Sequence, residues 1–493
     1  MSPKIGSVII PYNVILLCYV NFVIKPIVDS SIKNNLGKEN KVFPNFKQKL
    51  YNVGSVEQFI EETGLDGDSI PSTFHYLFSF LKKGIYLSFV NVVDEFSLKT
   101  ITVIDRYVPF NNANYRNEWF DLLKFPEKDY IKYINNNEKK KFGLIINKDL
   151  SEWYANNCIF RNTIYSSGPL KGLVDEGDKS IEEFLILFKN FCYYMSINPC
   201  SVFINPRDFP VLRSDHKHPY TAIYRNHNKK MNFVIDLPIL SQVSSDEHED
   251  IPIPTEDDIN NEVVNRYKRP KCKWSLKKDI AIFRGSATGC AMDEHNPRLK
   301  ISAISKDYPA LIDAGITSLN KRLKVDPNDG VCRYIDPEYL IDGKYTIKTL
   351  LKERMSDDEQ VLYKYVIDIP GHVCAFRLSR VLSWSSVVLK VPSKYYLWFE
   401  SDNFYDIFGC KLNGIYYEDI VSMDVLDSVQ YIKLRSLSDG VVDVSYLVKC
   451  VEWCRKNDDY CRVIGRNGYI FYMKYLRYNG IMNYLRSVFV GFI

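Results

Sequence analysis

Three short stretches carry residues whose types and order suit chemistry. In "INPRDFP" (204–210), Asp208 stands just past an apolar run, Val202 to Asn205, that reads as a strand. Open α/β sheets place ligands outside the carboxyl ends of their strands, and a carboxylate there can take a proton from a substrate hydroxyl. The same residues also suit an Arg207–Asp208 pair with Pro206 and Pro210 holding a turn. In "FRGSATG" (283–289), Gly285 permits close backbone approach and Ser286 and Thr288 offer hydroxyls. Arg284 or Arg298 can add charge, as a phosphate-binding turn requires. An ordinary strand-to-helix loop has the same appearance. In "DIPGHVCAFRLSRVL" (368–382), a strand ends at Asp368 and Pro370-Gly371 turn the chain. A helix beginning near Ala375 puts Arg377 in its first turn. There the free N–H groups attract an anion, and an arginine opposes the dipole unless an anion lies between them. A solvated arginine fits the pattern equally well.

Other chemistries find little support. Neither GxxxxGK[ST] nor GxGxxG occurs, and "GSATG" puts two residues between Ser286 and Gly289, unlike a hydrolase elbow. "DGD" (66–68) reads as a plain turn, and His216 and His218 lack a third ligand. None of the twelve cysteines forms CxxC, and Cys450 and Cys454 share a helix face without a histidine near in sequence. Reduced thiols and a cytoplasmic setting are expected.

The elements that must position these residues alternate between helix and strand. "IEEFLILFKNFCYYMSIN" (181–198) has helical periodicity and an acidic first turn ahead of the 202–205 strand. Strands are expected at 100–110 and 280–283, and a helix over 298–305. A helix and strand are read in 347–369, a helix, turn and strand in 376–391, and one or two helices in 444–468, ending at Gly468. Between the halves, "SQVSSDEHEDIPIPTEDDINNE" (241–262) is acidic with two prolines, so it reads as a linker or surface excursion.

With 493 residues, one core is not enough, and two α/β halves around a linker are the simplest architecture. The divisions are 1–50 (a strand pair or anchor, then a loop), 51–240 (an α/β domain), 241–262 (linker or surface excursion), 263–470 (a second α/β domain) and 471–493 (a helical tail). A net charge of +4 gives no reason to expect a nucleic-acid partner. Residues 7–28 are apolar, but Pro11, Asn13 and Asn21 interrupt them; a buried strand pair is favoured over a membrane anchor.

Taken in order, the three motifs resemble glycosyltransferase family 90, which includes protein O-glucosyl/O-xylosyltransferases and capsule xylosyltransferases. "INPRDFP" resembles the family's Arg-Asp-Tyr-Pro segment, and "FRGSATG" its Phe-Arg-Gly-Ser segment. "DIPGHVCAFRLSRVLSWSSVVLKVPSKYYLWF" resembles its Asp-Gly, Ser-Phe-Arg, Ser-Val-Val-Leu-Lys and Trp-Phe series. "WCRKNDDYCRVIGRNG" is similar to its closing helix, and "YANNCIFRN" (154–162) to an upstream Cys-x-Phe element. The resemblance covers roughly residues 150–480 by motif spacing. The Asn/Lys/Ile-rich composition resembles versions encoded by large DNA viruses.

The resemblance implies a GT-B fold of two Rossmann-like domains facing a cleft, with 51–240 on the acceptor side and 263–470 binding the nucleotide-sugar. It implies an inverting, metal-independent transfer of glucose or xylose from a UDP-sugar to a hydroxyl of a protein or glycan acceptor. It matches Asp208 to the catalytic base and Arg377 to the donor diphosphate. It matches Gly285, Ser286, His372, Val373, Cys374, Ala375 and Phe376 to the nucleotide-sugar pocket, with Arg284, Thr288 and Arg298 on the same donor side. Two positions depart from the pattern. Ala287 stands where the glucosyltransferases carry a second arginine, and Cys374-Ala375-Phe376-Arg377 replaces Ala-Ser-Phe-Arg. A catalytically impaired glycan- or nucleotide-binding module of a viral assembly is the alternative; Ala287 favours it and Asp208 opposes it.

Overall fold

The structure is a computed structural model, and it describes residues 83–93, 100–111, 179–195, 197–211, 239–265, 267–289, 291, 293, 295–319, 324–325, 332–333, 335–438 and 440–490. The 7–28 segment, "DGD", "YANNCIFRN", His216 and His218 lie outside them. No described helix is long and apolar enough to cross a membrane.

The first sheet is built from β1 (Lys83–Val93), β2 (Thr100–Asn111), β3 (Cys200–Asn205), β4 (Ile239–Ser241) and β5 (Ile251–Pro252), in the order β2-β1-β3-β4-β5. β1 runs antiparallel to β2 and to β3, whereas β3, β4 and β5 are parallel. The sheet is therefore mixed rather than purely Rossmann-like. Helix α1 (Lys179–Tyr194) buries Phe184, Leu187, Phe188 and Phe191. These recur at helical spacing, which gives the helix one apolar face.

The second sheet is parallel throughout, as suits strands covered on both faces. Its strands are β6 (Lys278–Gly285), β7 (Ile312–Ile316), β8 (Tyr363–Asp368), β9 (Val387–Lys390), β10 (Gly414–Ile415) and β11 (Tyr431–Lys433). They stand in the order β10-β11-β9-β8-β6-β7. The chain moves from β6 outward to β7, then returns to β8 on the other side of β6. Such a reversal marks the switch point, and ligands of sheets of this kind bind outside the carboxyl ends of the strands there, here β6 and β8. Helices α2 (Pro297–Asp307), α3 (Leu378–Leu382), α4 (Val444–Lys456), α5 (Asp458–Phe471) and α6 (Tyr478–Val490) accompany it.

One core continues through both sheets. It joins Ile85, Phe188, Val202 and Leu240 to Ile282, Val366, Val388 and Trp398. The chain's last helix completes it from within: Phe489 packs edge-on against Phe89 and Phe188, and the Tyr484 hydroxyl donates to the Pro252 carbonyl at 2.6 Å.

Three local expectations differ from what is observed. Segment 241–262 is neither linker nor excursion. Ser241, Gln242, Ser244, Ser245, Asp250, Thr255 and Asp258 are buried, and Val243–Ser244 pairs with Tyr396–Leu397. Several of its polar side chains bond within the segment or to neighbouring elements. Asp258 accepts from the Thr255 backbone and hydroxyl, from Ser379 Oγ, and from Trp398 Nε1 at 2.9 Å. Burial pushes the Asp258 carboxyl upward, and those hydrogen bonds oppose the shift. In 347–369, the helix shrinks to a 3-10 turn (Ile347–Leu350) and one turn capped by Ser356 (Asp357–Gln360).

Gly468 does not stop a helix. Both Gly465 and Gly468 lie inside α5 because the helix passes close to other backbone. A Cβ on Gly465 would sit 2.7 Å from the Ser385 carbonyl oxygen. Gly465→Ala should therefore cost about 1–3 kcal/mol despite the better helix propensity of alanine. Denaturant unfolding checks this; an unchanged midpoint would mean that α5 can shift without loss.

Candidate functional site

The crevice at the switch point is formed by two loops. One leaves β6 at Gly285 and runs through Ser286, Ala287 and Thr288 to α2. The other leaves β8 at Asp368 and runs through Pro370, Gly371 and His372 to α3. Asn296 caps α2, accepting from the Arg298 backbone N–H at 3.0 Å, and its amide holds the Thr288 carbonyl at 3.1 Å. The cap thus sets both the helix start and the loop before it.

Arg298, one residue inside α2, ties the two loops together. Its Nη1 donates to the Ser286 carbonyl at 2.9 Å, its Nη2 to Ile369 at 2.9 Å and its Nε to Pro370 at 3.1 Å. Gly371 allows the close approach, because a Cβ there would lie 2.6 Å from Thr288 Oγ1. Arg298 is therefore a loop clamp as well as a cation at the crevice.

Arg377 was expected in the first turn of a helix starting near Ala375. It is instead the residue before α3, which has only five residues. Its guanidinium reaches back to the sheet. Nη1 donates to the Arg284 carbonyl at 3.0 Å and to Gln360 Oε1 at 3.3 Å, and Nη2 to Ile367 at 3.4 Å. Arg298 and Arg377 both lie over the Phe283 ring, at 5.7 and 5.4 Å. Every hydrogen bond described for either side chain goes to an uncharged acceptor. Burial pulls both away from their charged forms, and for Arg298 the nearby Arg377 adds to the effect. An anion in the crevice would oppose that pull.

Arg284 has a different partner. It forms a bidentate pair with Asp313 on β7, at 2.9 and 3.1 Å, and so anchors β6 to β7. Ser286 receives the Ser318 hydroxyl at 2.9 Å. Ala287 is fully buried, among Leu299, Ile316, Ile341, Ile347 and Leu350. Its methyl points into an apolar cluster.

The first motif reaches the same neighbourhood. Asp208 is half-buried in a bend just after β3. Asn205 shapes this bend: its amide donates to the Phe209 carbonyl at 2.7 Å and to Ser241 Oγ at 3.1 Å, and its Oδ1 accepts from Arg207 N. Asp250 accepts from Val211 N at 2.9 Å and from Ser241 Oγ at 2.5 Å. The buried acidic segment thus fixes the bend that carries Asp208. Phe209 then packs 6.4 Å from His372 and 5.9 Å from Tyr395, centroid to centroid. Val373 and Ala375 are buried, and Cys374 and Phe376 are half-buried.

Several contributors escaped sequence reasoning. Asp368, Lys390 and Glu400 gather where β8 and β9 end, with Lys390 paired to Glu400. Burial pushes the Asp368 carboxyl up to about 6, against the pull of Lys390 and Arg377. Asp258 holds α3 through Ser379. Asp368 was read as a strand end and as the start of the Asp-Gly match, with no role given to it, and the Ser-Val-Val-Leu-Lys match contained Lys390 without marking it. Among the described residues, no three His, Cys, Asp or Glu side chains group as ligands for a metal ion.

The chain is 29% identical to protein 035R of Invertebrate iridescent virus 3, across 93% of this chain and 40% of that protein. It is 31% identical to protein 027R of Frog virus 3, over 59% of this chain and 30% of that one. It is 25% identical to human protein O-glucosyltransferase 3, over 49% of this chain and 39% of the human protein. The chain therefore spans about two-fifths or less of the length of these relatives. The match to the family covers a shorter span than the roughly 150–480 suggested by motif spacing, but all three motifs fall inside it. The resemblance read from them is borne out: residues 195–403 of this chain match glycosyl transferase family 90.

Proposed function

We propose that this chain is an inverting glycosyltransferase of GT-B type, moving glucose or xylose from a UDP-sugar to a hydroxyl of a protein or glycan acceptor. The observation that carries the reading is the pair Arg298 and Arg377. Two cations with only uncharged bonded partners meet at the switch point of a parallel sheet, beside backbone that glycine lets approach closely. Asp368 is the one carboxylate acting on both, and a nucleoside diphosphate would supply the further negative charge that two guanidinium groups can take. The family match and the name of the human relative favour a sugar nucleotide over other diphosphates.

In this reading the acceptor oxygen attacks the anomeric carbon of the donor while its proton passes to Asp208. The bond from that carbon to the diphosphate oxygen breaks, and UDP leaves with the electron pair. One displacement inverts the anomeric centre. A guanidinium has five N–H donors, and the described contacts of Arg377 use three acceptors, so it keeps capacity for the leaving diphosphate. Arginine and backbone N–H groups then neutralise the leaving group without a metal. Ser286, Thr288 and residues 372–376 line the donor side. Arg284, committed to Asp313, supports the loop.

Asp208→Asn should lower transfer by about 10²–10⁴-fold and leave the dissociation constant for UDP-sugar nearly unchanged. UDP release from a panel of UDP-sugars, in EDTA, reads the first, and calorimetry the second. Wild-type turnover in the variant would remove Asp208 from the role of base.

The impaired-module alternative leaned on Ala287. Its burial means that an arginine there would enter an apolar cluster. Ala287→Arg should destabilise the chain by about 3–5 kcal/mol, the cost of an uncompensated buried charge, without tightening UDP binding. A stable variant with tighter UDP binding would show that the loop can turn this position into the crevice.

A further inference from the structure

Asp368 sits where the two crevice arginines converge. Arg377 Nη2 donates to the Ile367 carbonyl at 3.4 Å, and Arg298 Nη2 and Nε donate to the Ile369 and Pro370 carbonyls at 2.9 and 3.1 Å. The guanidinium groups therefore bond the backbone on both sides of this residue. On β9, Lys390 stands opposite it in register, and the Val391 N–H donates to its carbonyl at 2.9 Å. Asp368 is 3% exposed, and its Oδ1 is buried without a hydrogen-bond partner among the described residues. Without such a bond, the ionised form depends on nearby charge.

That charge comes from several elements. Burial pushes the Asp368 carboxyl up to about 6; Lys390, Arg377 and Arg298 pull it down, and Glu400 adds to the rise. Lys390 is paired to Glu400, so its charge is shared between two carboxylates. Cys374 on the loop and Tyr431 on β11 are driven upward by burial and stay neutral near neutral pH. Asp368 is the one carboxylate that acts on both Arg298 and Arg377, the groups assigned above to the donor diphosphate. An anion beside those arginines would cancel part of the field that holds Asp368 ionised. In a buried site, little water is at hand to replace that field.

We propose that Asp368 and the donor diphosphate are alternative counter-ions of the two arginines, so that the donor binds together with a proton that Asp368 takes from solvent. The proposal rests on the glycosyltransferase reading and makes Asp368 a positioning residue of its donor site. Ionised, it keeps the guanidinium groups charged before the donor arrives; protonated, it yields them to the diphosphate. The sign follows from the field. The donor raises the proton affinity of Asp368, and by reciprocity protonation of Asp368 raises the affinity for the donor. Uptake is confined to the window between the free carboxyl's value, about 6, and the higher value with donor bound. Affinity is highest below that window and lowest above it.

Calorimetric titration of the full chain with UDP-glucose and UDP-xylose is the test, because their diphosphates, unlike that of UDP, gain no proton in the window. At about pH 6.5, in buffers of different ionisation enthalpy, the wild-type chain should take up about half a proton on binding. Its dissociation constant should rise about tenfold from about pH 5.5 to about pH 8. Asp368→Asn, neutral throughout, should lose the uptake and bind about tenfold more tightly than wild type at about pH 8. A purely structural role gives the opposite sign, weaker binding at every pH. His372 lies on the same loop, and an imidazole also takes up protons in this range, so His372→Gln should keep the uptake. A wild-type chain that binds either donor without proton uptake overturns the proposal and leaves the glycosyltransferase reading standing, whether or not the variants fold. Uptake that survives in Asp368→Asn or vanishes in His372→Gln overturns it too, as does weaker binding by folded Asp368→Asn at the higher pH. If the wild-type chain binds neither donor, that reading fails and this one with it.

Discussion

The Arg298 guanidinium is the constraint on which the site depends. Its three nitrogens bond carbonyls on the loops that leave β6 and β8, two strands that meet only because the chain reverses direction in the sheet. Without that clamp, Ser286 and Gly371 belong to separate turns. With it, they form the two lips of one crevice. The bonds satisfy hydrogens but not charge. Arg298 and Arg377 lie over one phenylalanine ring; burial draws both from their charged forms, and Asp368 opposes that draw. A bound anion would act in the same direction as Asp368, which links the packing of the sheet to the chemistry proposed for it.

The acidic segment 241–262 is the second support. It holds the Asp208 bend through Ser241 and Asp250, and α3 through Asp258 and Ser379. Both sides of the proposed reaction, base and donor, therefore lean on one buried polar strip. Buried polar groups stay favourable only while every partner is present. Its burial and its bonds to β3 and α3 distinguish the segment from a flexible linker of the same composition.

Some of this was legible in the residues. The order of apolar runs predicted β3, β6 and α2 within two or three residues, since turn residues and an Asn-Pro start mark their ends. The α/β class followed from that alternation. What failed had non-local causes. Composition cannot say whether acidic residues face water or one another, so 241–262 was misread. Gly468 was read as a helix stop because its role, close packing on Leu382 and Gln430, lies across the chain. The roles of Arg284 and Ala287 likewise depend on β7 and a distant apolar cluster, which no local motif records. Asp368 was invisible because its distinguishing property is an unmet hydrogen bond, a feature of three dimensions.

The central claim is that the three motifs make one donor site at the switch point. A crystal structure of the chain with UDP tests it most directly. The account predicts the diphosphate between Ser286 and Gly371, within hydrogen-bond distance of Arg377. UDP bound away from the carboxyl ends of β6 and β8 would contradict it.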